Sequence, residues 1–276
     1  MNKRKIILLA TALSLVAILA VGGTLAYFTD TDNATNVFTM GHVSIAQKEW
    51  ERADGVFKSY TQNKEIYPAV HEKLVKEPVV LEGYEFNIRS QKGNYIDKIV
   101  NVTNTGTQDA YIRTIIAIPS MNGYDDSPDA SENPLHWNYL DSTDFNGTGW
   151  DWNGSNDAES TTQLEYARDV EIDGVLYDLY VATHNKAVPA GKTTSPSMVG
   201  FYLDNSVDYD EKGYFSIQNN VRIDLAKWIK VDNNGKATLK ILVATQACQT
   251  QGFADAWEAL DKAFGAISGA NHPWSK

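Results

Sequence analysis

Short apolar runs separated by turn residues cover most of the chain after residue 40. The clearest runs alternate or cluster Val, Ile and Tyr, a pattern typical of β-strands. Asp173-Gly174 divides one of them, and Asp-Gly between two apolar runs favours a tight hairpin with positive φ at both central residues. Little helical periodicity separates the runs, so the pattern predicts a mainly β, antiparallel sandwich. The predicted strands are residues 42–46, 96–102, 110–118, 170–181 (as a hairpin), 198–203, 228–231 and 237–244.

One segment near the C-terminus has helical periodicity instead. Its apolar residues fall at i, i+3, i+4, i+7 and i+11, which places them on one face of an amphipathic helix. Glycines at positions 252 and 265 flank this segment. A weaker pattern over residues 48–60 predicts a second helix. The apolar residues of the C-terminal stripe are Phe253, Ala256, Trp257, Leu260 and Phe264.

The first 26 residues have the three parts of a secretory signal peptide. Basic residues at positions 3–5 precede an apolar run over 6–21, and Thr24-Leu25-Ala26 supplies a small-x-small cleavage site. The run is shorter than the roughly 20 residues that span a bilayer. We therefore expect cleavage between Ala26 and Tyr27, which leaves residues 27–276 as one domain. An uncleaved signal anchor is the alternative.

Composition and charge exclude some partners. The 276 residues carry a formal charge of −11, and removal of Lys3, Arg4 and Lys5 with the signal peptide would bring it to −14. Such a chain lacks the basic surface that nucleic acids require. Cys248 is the only cysteine, so no intrachain disulfide is possible, and we expect a small buried side chain. The last residues, 271–276, hold no apolar tail or sorting motif.

Residues 122–160 are rich in Asp, Asn, Gly, Ser and Trp, and we interpret them as a long surface insertion between strands. Trp150 and Trp152 could stack on sugar rings or could hold the loop against the sandwich. Residues 151–157 place oxygen ligands at alternate positions, as a calcium loop does. However, Asn156 stands where such a loop has glycine, and Thr162 stands where it has glutamate.

No catalytic motif is complete. No two of the five histidines stand at i, i+4, and His71-Glu72 lacks the second histidine of a zinc-protease helix. A Gly-x-Ser-x-Gly elbow and a phosphate-binding Gly loop are also absent from the sequence. We therefore expect no enzymatic activity, no cofactor and no metal site.

Three N-terminal segments, residues 22–30, residues 33–38 ending in Phe38, and residues 41–45, combine a Gly-Thr-Leu-Ala cleavage region with a following strand. They resemble the signal region, of the SipW type, and the first strand of the TasA/camelysin family of biofilm-matrix proteins. Residues 96–106 resemble a family strand that ends in Asn-x-Gly. Leu81-Glu-Gly83 stands where the family has a Pro-Gly turn, so the proline is missing, and residues 122–160 have no counterpart.

The resemblance implies a jelly-roll sandwich that is exported, cut by a dedicated signal peptidase and polymerised into extracellular fibres. Residues 27–39 would then be a donor strand that completes a sheet of the next subunit, with Phe28, Asp30, Val37 and Phe38 as its contacts. A disordered N-terminal tail is the alternative. The expected partners are further copies of the chain, the signal peptidase, and a matrix polysaccharide or accessory matrix protein. Other hypotheses are an exported carbohydrate-binding module that uses Trp150 and Trp152, and a camelysin-like protease.

Overall fold

The structure is a computed structural model, and its described part begins at Thr29. The signal peptide, Tyr27, Phe28, Val37 and Phe38 lie outside the described residues. Residues 232–236 and much of the 122–160 segment also lie outside them. The described residues are 29–32, 43–62, 64, 66, 68–69, 73–90, 94–120, 133–152, 165–218, 220–225, 228–231 and 237–275.

The described residues form mainly β-strands and one α-helix, which confirms the predicted fold class. The strands are β1 Thr29–Asp32, β2 Ile45–Ala53, β3 Val56–Ser59, β4 Pro68–Ala69, β5 Val75–Leu81, β6 Tyr84–Ser90, β7 Ile96–Asn104, β8 Ala110–Pro119, β9 Leu135–Tyr139, β10 Trp150–Trp152, β11 Glu165–Ile172, β12 Val175–His184, β13 Met198–Asp204, β14 Val207–Asp210, β15 Gly213–Gln218, β16 Val221–Asp224, β17 Lys230–Val231, β18 Ala237–Thr238 and β19 Leu242–Gln249, and the helix is α1 Ala256–Phe264.

Two six-stranded sheets dominate the fold. Sheet 1 has the order β1-β19-β8-β12-β10, with β11 also paired to β12, and all its pairings are antiparallel. Sheet 2 has the order β3-β2-β7-β13-β4, with β9 on the other side of β13, and only the short β4–β13 pairing is parallel. Smaller sheets join β5 to β6, β14 to β15 and β16, and β17 to β18.

The two large sheets share one core, as the sheets of a β-sandwich do. Ile112, Ile116 and Ile118 of β8 pack in the same buried cluster as Val100 and Val102 of β7. The alternate residues of β8 point the other way and pack in a second cluster. This explains why β8 is apolar almost throughout, since both of its faces are covered. The jelly-roll connectivity stays a prediction.

The C-terminal segment covers the outer face of sheet 1. Helix α1 packs on β8, β12 and β19, and Ile267 lies in the cluster on the outer side of β8 and β12. Asp255 caps the helix by accepting the Glu258 N–H at 2.8 Å. Gly265 ends it with φ +79°, where its N–H bonds to Asp261 O. The predicted C-terminal helix is confirmed, with a start three residues later than predicted.

The β5–β6 hairpin covers the outer face of sheet 2. Phe86 and Ile88 pack there in a cluster that includes Ile99 of β7 and Tyr202 of β13. Arg52 of β2 fixes this layer, because its guanidinium bonds to both oxygens of Asp97, to Glu77 of β5 and to the carbonyl of residue 89.

The helix predicted over residues 48–60 is wrong, since this segment forms the β2–β3 hairpin. Asp54 and Gly55 have φ of 53° and 80°, which is the geometry of a type I′ turn. Asp173 and Gly174 form the same kind of turn between β11 and β12, as predicted. The helix prediction was wrong because Asp54-Gly55 is an equally strong signal for a hairpin. The turn that these two residues form fixes the register of β2 and β3.

The interpretation of residues 122–160 as a surface insertion is also wrong for its described part. Residues 135–139 form β9, at an edge of sheet 2, and residues 150–152 form β10, at an edge of sheet 1. The segment therefore completes both sheets on one side of the sandwich. The polar composition of the segment suggested a loop, but apolar and aromatic residues such as Leu135 and Trp137 pack in or against the shared core and stabilise these strands.

Most predicted strands are confirmed with shifted ends. The strand predicted from residue 42 begins at Ile45 and continues to Ala53. The segment predicted as a strand over 237–244 is divided into β18 and the longer β19, and β17 begins two residues later than predicted. Within the described residues, no helix is long and apolar enough to cross a bilayer.

Candidate functional site

The edge of sheet 1 formed by β1 and β19 is the candidate site. β1 is the first described segment after the predicted cleavage point, and it pairs antiparallel with β19. Asp30, which the sequence analysis names as an assembly residue, lies opposite Ala247. The full register is Thr29 to Cys248, Asp30 to Ala247, Thr31 to Gln246 and Asp32 to Thr245.

β19 behaves as an interior strand at the four positions that β1 covers. Thr245, Ala247 and Cys248 are fully buried, and Gln246 is 7% exposed. Its alternate side chains divide between two layers, with Ala247 in the shared core and Cys248 beneath α1. Since β8 pairs with its other side, β1 supplies the only pairing on this edge within the described residues. Without β1, the backbone N–H and C=O groups on this side would have no strand partner.

A polar contact joins this edge to sheet 2. The Thr245 hydroxyl donates to Gln47 Oε1 of β2 at 2.7 Å, and Gln47 Nε2 donates to Glu49 Oε1 at 3.2 Å. β1 itself contacts β2. The two sheets therefore meet through hydrogen bonds at this side of the sandwich, next to the place where β1 pairs.

Charged residues of β2 and of its neighbouring strands extend the polar contacts that begin at Gln47. Lys98 is 4% exposed, pairs with Glu49 and lies 4.6 Å from the centre of the Tyr60 ring. Burial and the nearby Glu49 and Glu51 carboxylates raise the pKa of Tyr60 to about 12. Burial alone would raise the pKa of Glu51, but bonds from Lys64, Thr61 and Lys58 outweigh it and hold that pKa below its ordinary value. Glu51 is therefore a carboxylate whose charge is neutralised within the fold.

Cys248 is a structural residue of this edge. It is fully buried, and desolvation raises its pKa to about 12 although the nearby Arg113 opposes the shift. A thiol with so high a pKa is a poor nucleophile at neutral pH. This confirms the expectation of a small buried side chain.

The structure does not place Trp150 and Trp152 on a sugar-binding surface. Trp150 is fully buried and Trp152 is 6% exposed. Their indole N–H groups donate to Ser195 O at 2.9 Å and to Leu140 O at 3.1 Å. Trp152 also packs edge-on against Trp137 and Tyr139, at centroid distances of 5.4 and 5.0 Å. A sugar stacks on an exposed ring face, so the predicted sugar-stacking role of these two tryptophans is wrong. The alternative interpretation, in which their rings hold the segment against the sandwich, agrees with the structure.

Three aspartates lie near these rings without forming a metal site. Burial raises the pKa values of Asp144 and Asp151, and the nearby Asp141 carboxylate adds to both shifts, while a hydrogen bond from the Asp141 backbone N–H opposes the shift of Asp144. Ser142 and Asn185 donate hydrogen bonds to Asp151 and oppose its shift. Within the described ranges, no group of three or more His, Cys, Asp or Glu residues could hold a metal ion. Most of the calcium-loop pattern, from residue 153 onward, lies outside those ranges.

Comparisons with known proteins do not identify this chain. Searches of protein-family models, of curated proteins and of solved structures give no match.

The sequence analysis missed the partner strand of the N-terminal segment. Residues 29–32 read Thr-Asp-Thr-Asp, and aspartate is depleted in strands, so their composition gives no strand signal. The useful signal is on β19, where residues 244–248 are buried, because the backbone N–H and C=O groups of a buried strand need partners on both of its edges. Ala26, Tyr27, Phe28, Val37 and Phe38 stay predictions, because they lie outside the described residues.

Proposed function

We propose that this chain is a secreted structural protein that assembles into extracellular matrix fibres by N-terminal donor-strand addition. The observation that supports this most directly is the position of β1. β1, which begins three residues after Ala26 of the predicted cleavage site, is an edge strand of sheet 1. Such a strand can be supplied by another copy without rearrangement of the strands inside the sheet.

Physical chemistry connects this edge to fibre formation. A strand added at an edge forms backbone hydrogen bonds, which depend little on side-chain identity. The donor lies at the N-terminus and the acceptor is β19, so the contact joins different surfaces of two copies. Contacts of this kind are head-to-tail, and they produce open filaments when the rotation between subunits does not close.

The sequence supplies the rest of the proposal. The signal-peptide pattern over residues 1–26 supports export, and cleavage after Ala26 would free the donor segment. The resemblance to the TasA/camelysin family supports the matrix-fibre role. The carbohydrate-binding alternative is not supported, because Trp150 and Trp152, the residues proposed to stack on sugars, are buried. The protease alternative has no zinc motif in the sequence.

Filament formation by the processed chain tests the proposal. Purified protein that begins at Tyr27 should form filaments visible by negative-stain electron microscopy. A chain that lacks residues 27–39 should stay monomeric in analytical ultracentrifugation while its circular dichroism stays β-rich. If the chain from Tyr27 stays monomeric at all concentrations and salt conditions, the proposed function is wrong.

A matched pair of variants separates backbone pairing from side-chain effects. Alternate residues of an antiparallel strand bond to its partner, so proline at both positions 30 and 31 removes at least one ladder N–H. Asp30→Pro with Thr31→Pro should therefore abolish filaments. Asp30→Asn with Thr31→Ser keeps every backbone N–H and should assemble normally. Equal assembly of the two variants would contradict donor-strand addition through β1.

A further inference from the structure

We propose that the monomer is self-capped, so that β1 covers in its own chain the β19 edge that accepts β1 of a second copy. This inference rests on the proposed function and adds to it a docking surface, a register and a means of control. The docking surface is the edge of Thr245–Cys248, and its occupant in the fibre is the 29–32 segment of the next copy.

The structure supports the surface and the register together. β1 lies at the end of the strand order of sheet 1, and four consecutive residues pair without a register shift. The four β19 residues opposite are buried, as in an interior strand. A second copy that replaced β1 in this register would restore the same backbone pairs. The edge of β19 that β1 covers in its own chain is therefore also a binding site for β1 of another copy.

The short connection to β2 favours capping within one chain. Asp32 lies opposite Thr245, and the Thr245 hydroxyl bonds to Gln47 of β2, so both ends of the connection are near one residue. Only residues 33–44 separate β1 from β2. A strand tethered by so short a linker competes at an effective concentration on the order of millimolar. A free copy at micromolar concentration therefore does not displace it easily.

The cap is nonetheless suited to exchange. Its sequence, Thr-Asp-Thr-Asp, has no large apolar side chain, so its pairing depends mainly on backbone hydrogen bonds. Opening of β1 exposes the edge of β19 and frees a donor in the same event. Assembly should therefore require the opening of the cap, and a chain whose cap cannot open should not assemble.

The register of β1 and β19 allows β1 to be fixed to β19 by an engineered disulfide. Residue 29 lies opposite Cys248, the only cysteine of the chain. Opposed residues of an antiparallel pair have Cα atoms about 4.5–5.5 Å apart. A disulfide needs about 4.4–6.8 Å. We would refold Thr29→Cys under oxidising conditions, with the unsubstituted chain, which has the single thiol of Cys248, as the control. The expected product is a monomer with an intrachain disulfide, detected by mass spectrometry of its peptides.

The locked monomer should form at least 10-fold less filament than the control, and a reductant should restore normal assembly. Filaments grown from the reduced variant and then oxidised should give a ladder of covalent oligomers on a non-reducing gel. This ladder would place residue 29 of one copy against Cys248 of the next.

Three results would overturn the inference. The intrachain disulfide fails to form, the locked monomer assembles as fast as the control, or the oxidised filaments contain only intrachain bonds. If the disulfide fails to form while the unsubstituted control forms filaments, the proposed function survives without self-capping. The other two results, with a control that forms filaments, leave the fibre role but exclude donor-strand addition through β1. If the control forms no filaments, the proposed function fails and the inference fails with it.

Discussion

At the scale of single residues, the buried polar and aromatic groups determine how the sandwich is closed. Trp150 belongs to the short strand β10, yet it is fully buried and bonds to a backbone carbonyl. Its ring also meets His184 edge-on, at a centroid distance of 5.3 Å. One residue thus connects an edge strand to the core, and this explains its place in a segment of polar composition.

Replacement of Trp150 should destabilise the fold. Trp150→Ala leaves a cavity in the shared core, and we expect the free energy of unfolding to fall by about 3–5 kcal/mol. Tyr209→Ala, at a ring that is 55% exposed, should change it by about 1 kcal/mol or less. Urea unfolding followed by tryptophan fluorescence and circular dichroism measures both. A loss of sugar binding without a loss of stability would contradict the structural role.

His184 should make the fold sensitive to acid. Burial lowers its pKa below the ordinary value of 6.5, while a backbone bond to residue 186 partly opposes the shift. Between the two pKa values the unfolded chain binds more protons, so stability should fall as pH decreases below about 6.5. One proton gives a slope of at most about 1.4 kcal/mol per pH unit.

The free energy of unfolding between pH 7.5 and pH 5.5 measures this effect. His184→Gln should flatten the slope, and some slope should stay because burial also lowers the pKa of His272. An unchanged slope in His184→Gln would show that the histidine does not carry the effect.

At the scale of elements, the strands and the C-terminal helix are held together by a few buried contacts. Arg113 of β8 is 1% exposed and reaches out from sheet 1 to the helix. Its guanidinium donates to Gln246 Oε1 at 2.7 Å, to Asp261 Oδ1 at 2.8 Å and to Gly265 O at 2.8 Å. The same side chain therefore links β8, β19 and the end of α1.

Truncation of Arg113 should loosen the helix from the sheet. Arg113→Ala removes the hydrogen bonds described above and leaves Gln246 and the Gly265 carbonyl without this donor. Breaking a buried charged pair costs about 3–5 kcal/mol, and we expect the lower end because Asp261 is half exposed. Lys262→Ala, which removes an exposed pair with Glu258 in the same helix and a contact 5.8 Å from the centre of the Phe253 ring, should cost about 1 kcal/mol or less. Chemical denaturation distinguishes the two, and equal effects would contradict the role of Arg113.

The sequence predicted those elements whose pattern is set locally. The stripe of Phe253, Leu260 and Phe264 predicted α1, and the Asp173-Gly174 turn predicted the β11–β12 hairpin. Elements set by distant partners were missed. β9 and β10 lie in a segment of loop-like composition, and they are strands because β13 and β12 offer them edges. The same holds for β1, which is a strand because β19 requires a neighbour.

At the scale of the whole molecule, the fold is a sandwich in which β1, just after the predicted cleavage site, is an edge strand of sheet 1. One side of the sandwich is closed by β9 and β10, and the other side is closed by β1 beside β2. The β1 side is held by backbone pairing and by polar contacts such as that of Thr245 with Gln47. A side of this kind can open and close without exposing a large apolar surface, which suits an exchange between subunits.

Binding of a donor peptide to an acceptor chain measures directly whether the edge of β19 accepts a strand from outside its own chain. A labelled peptide of residues 27–39 would be titrated into the chain that lacks residues 27–39, and fluorescence anisotropy would measure binding. The account predicts saturable binding at one peptide per chain, lost when proline replaces Asp30 and Thr31. It also predicts affinity at least 10-fold weaker for the chain that begins at Tyr27, since its own β1 covers the edge. A folded acceptor that does not bind the peptide would contradict the account.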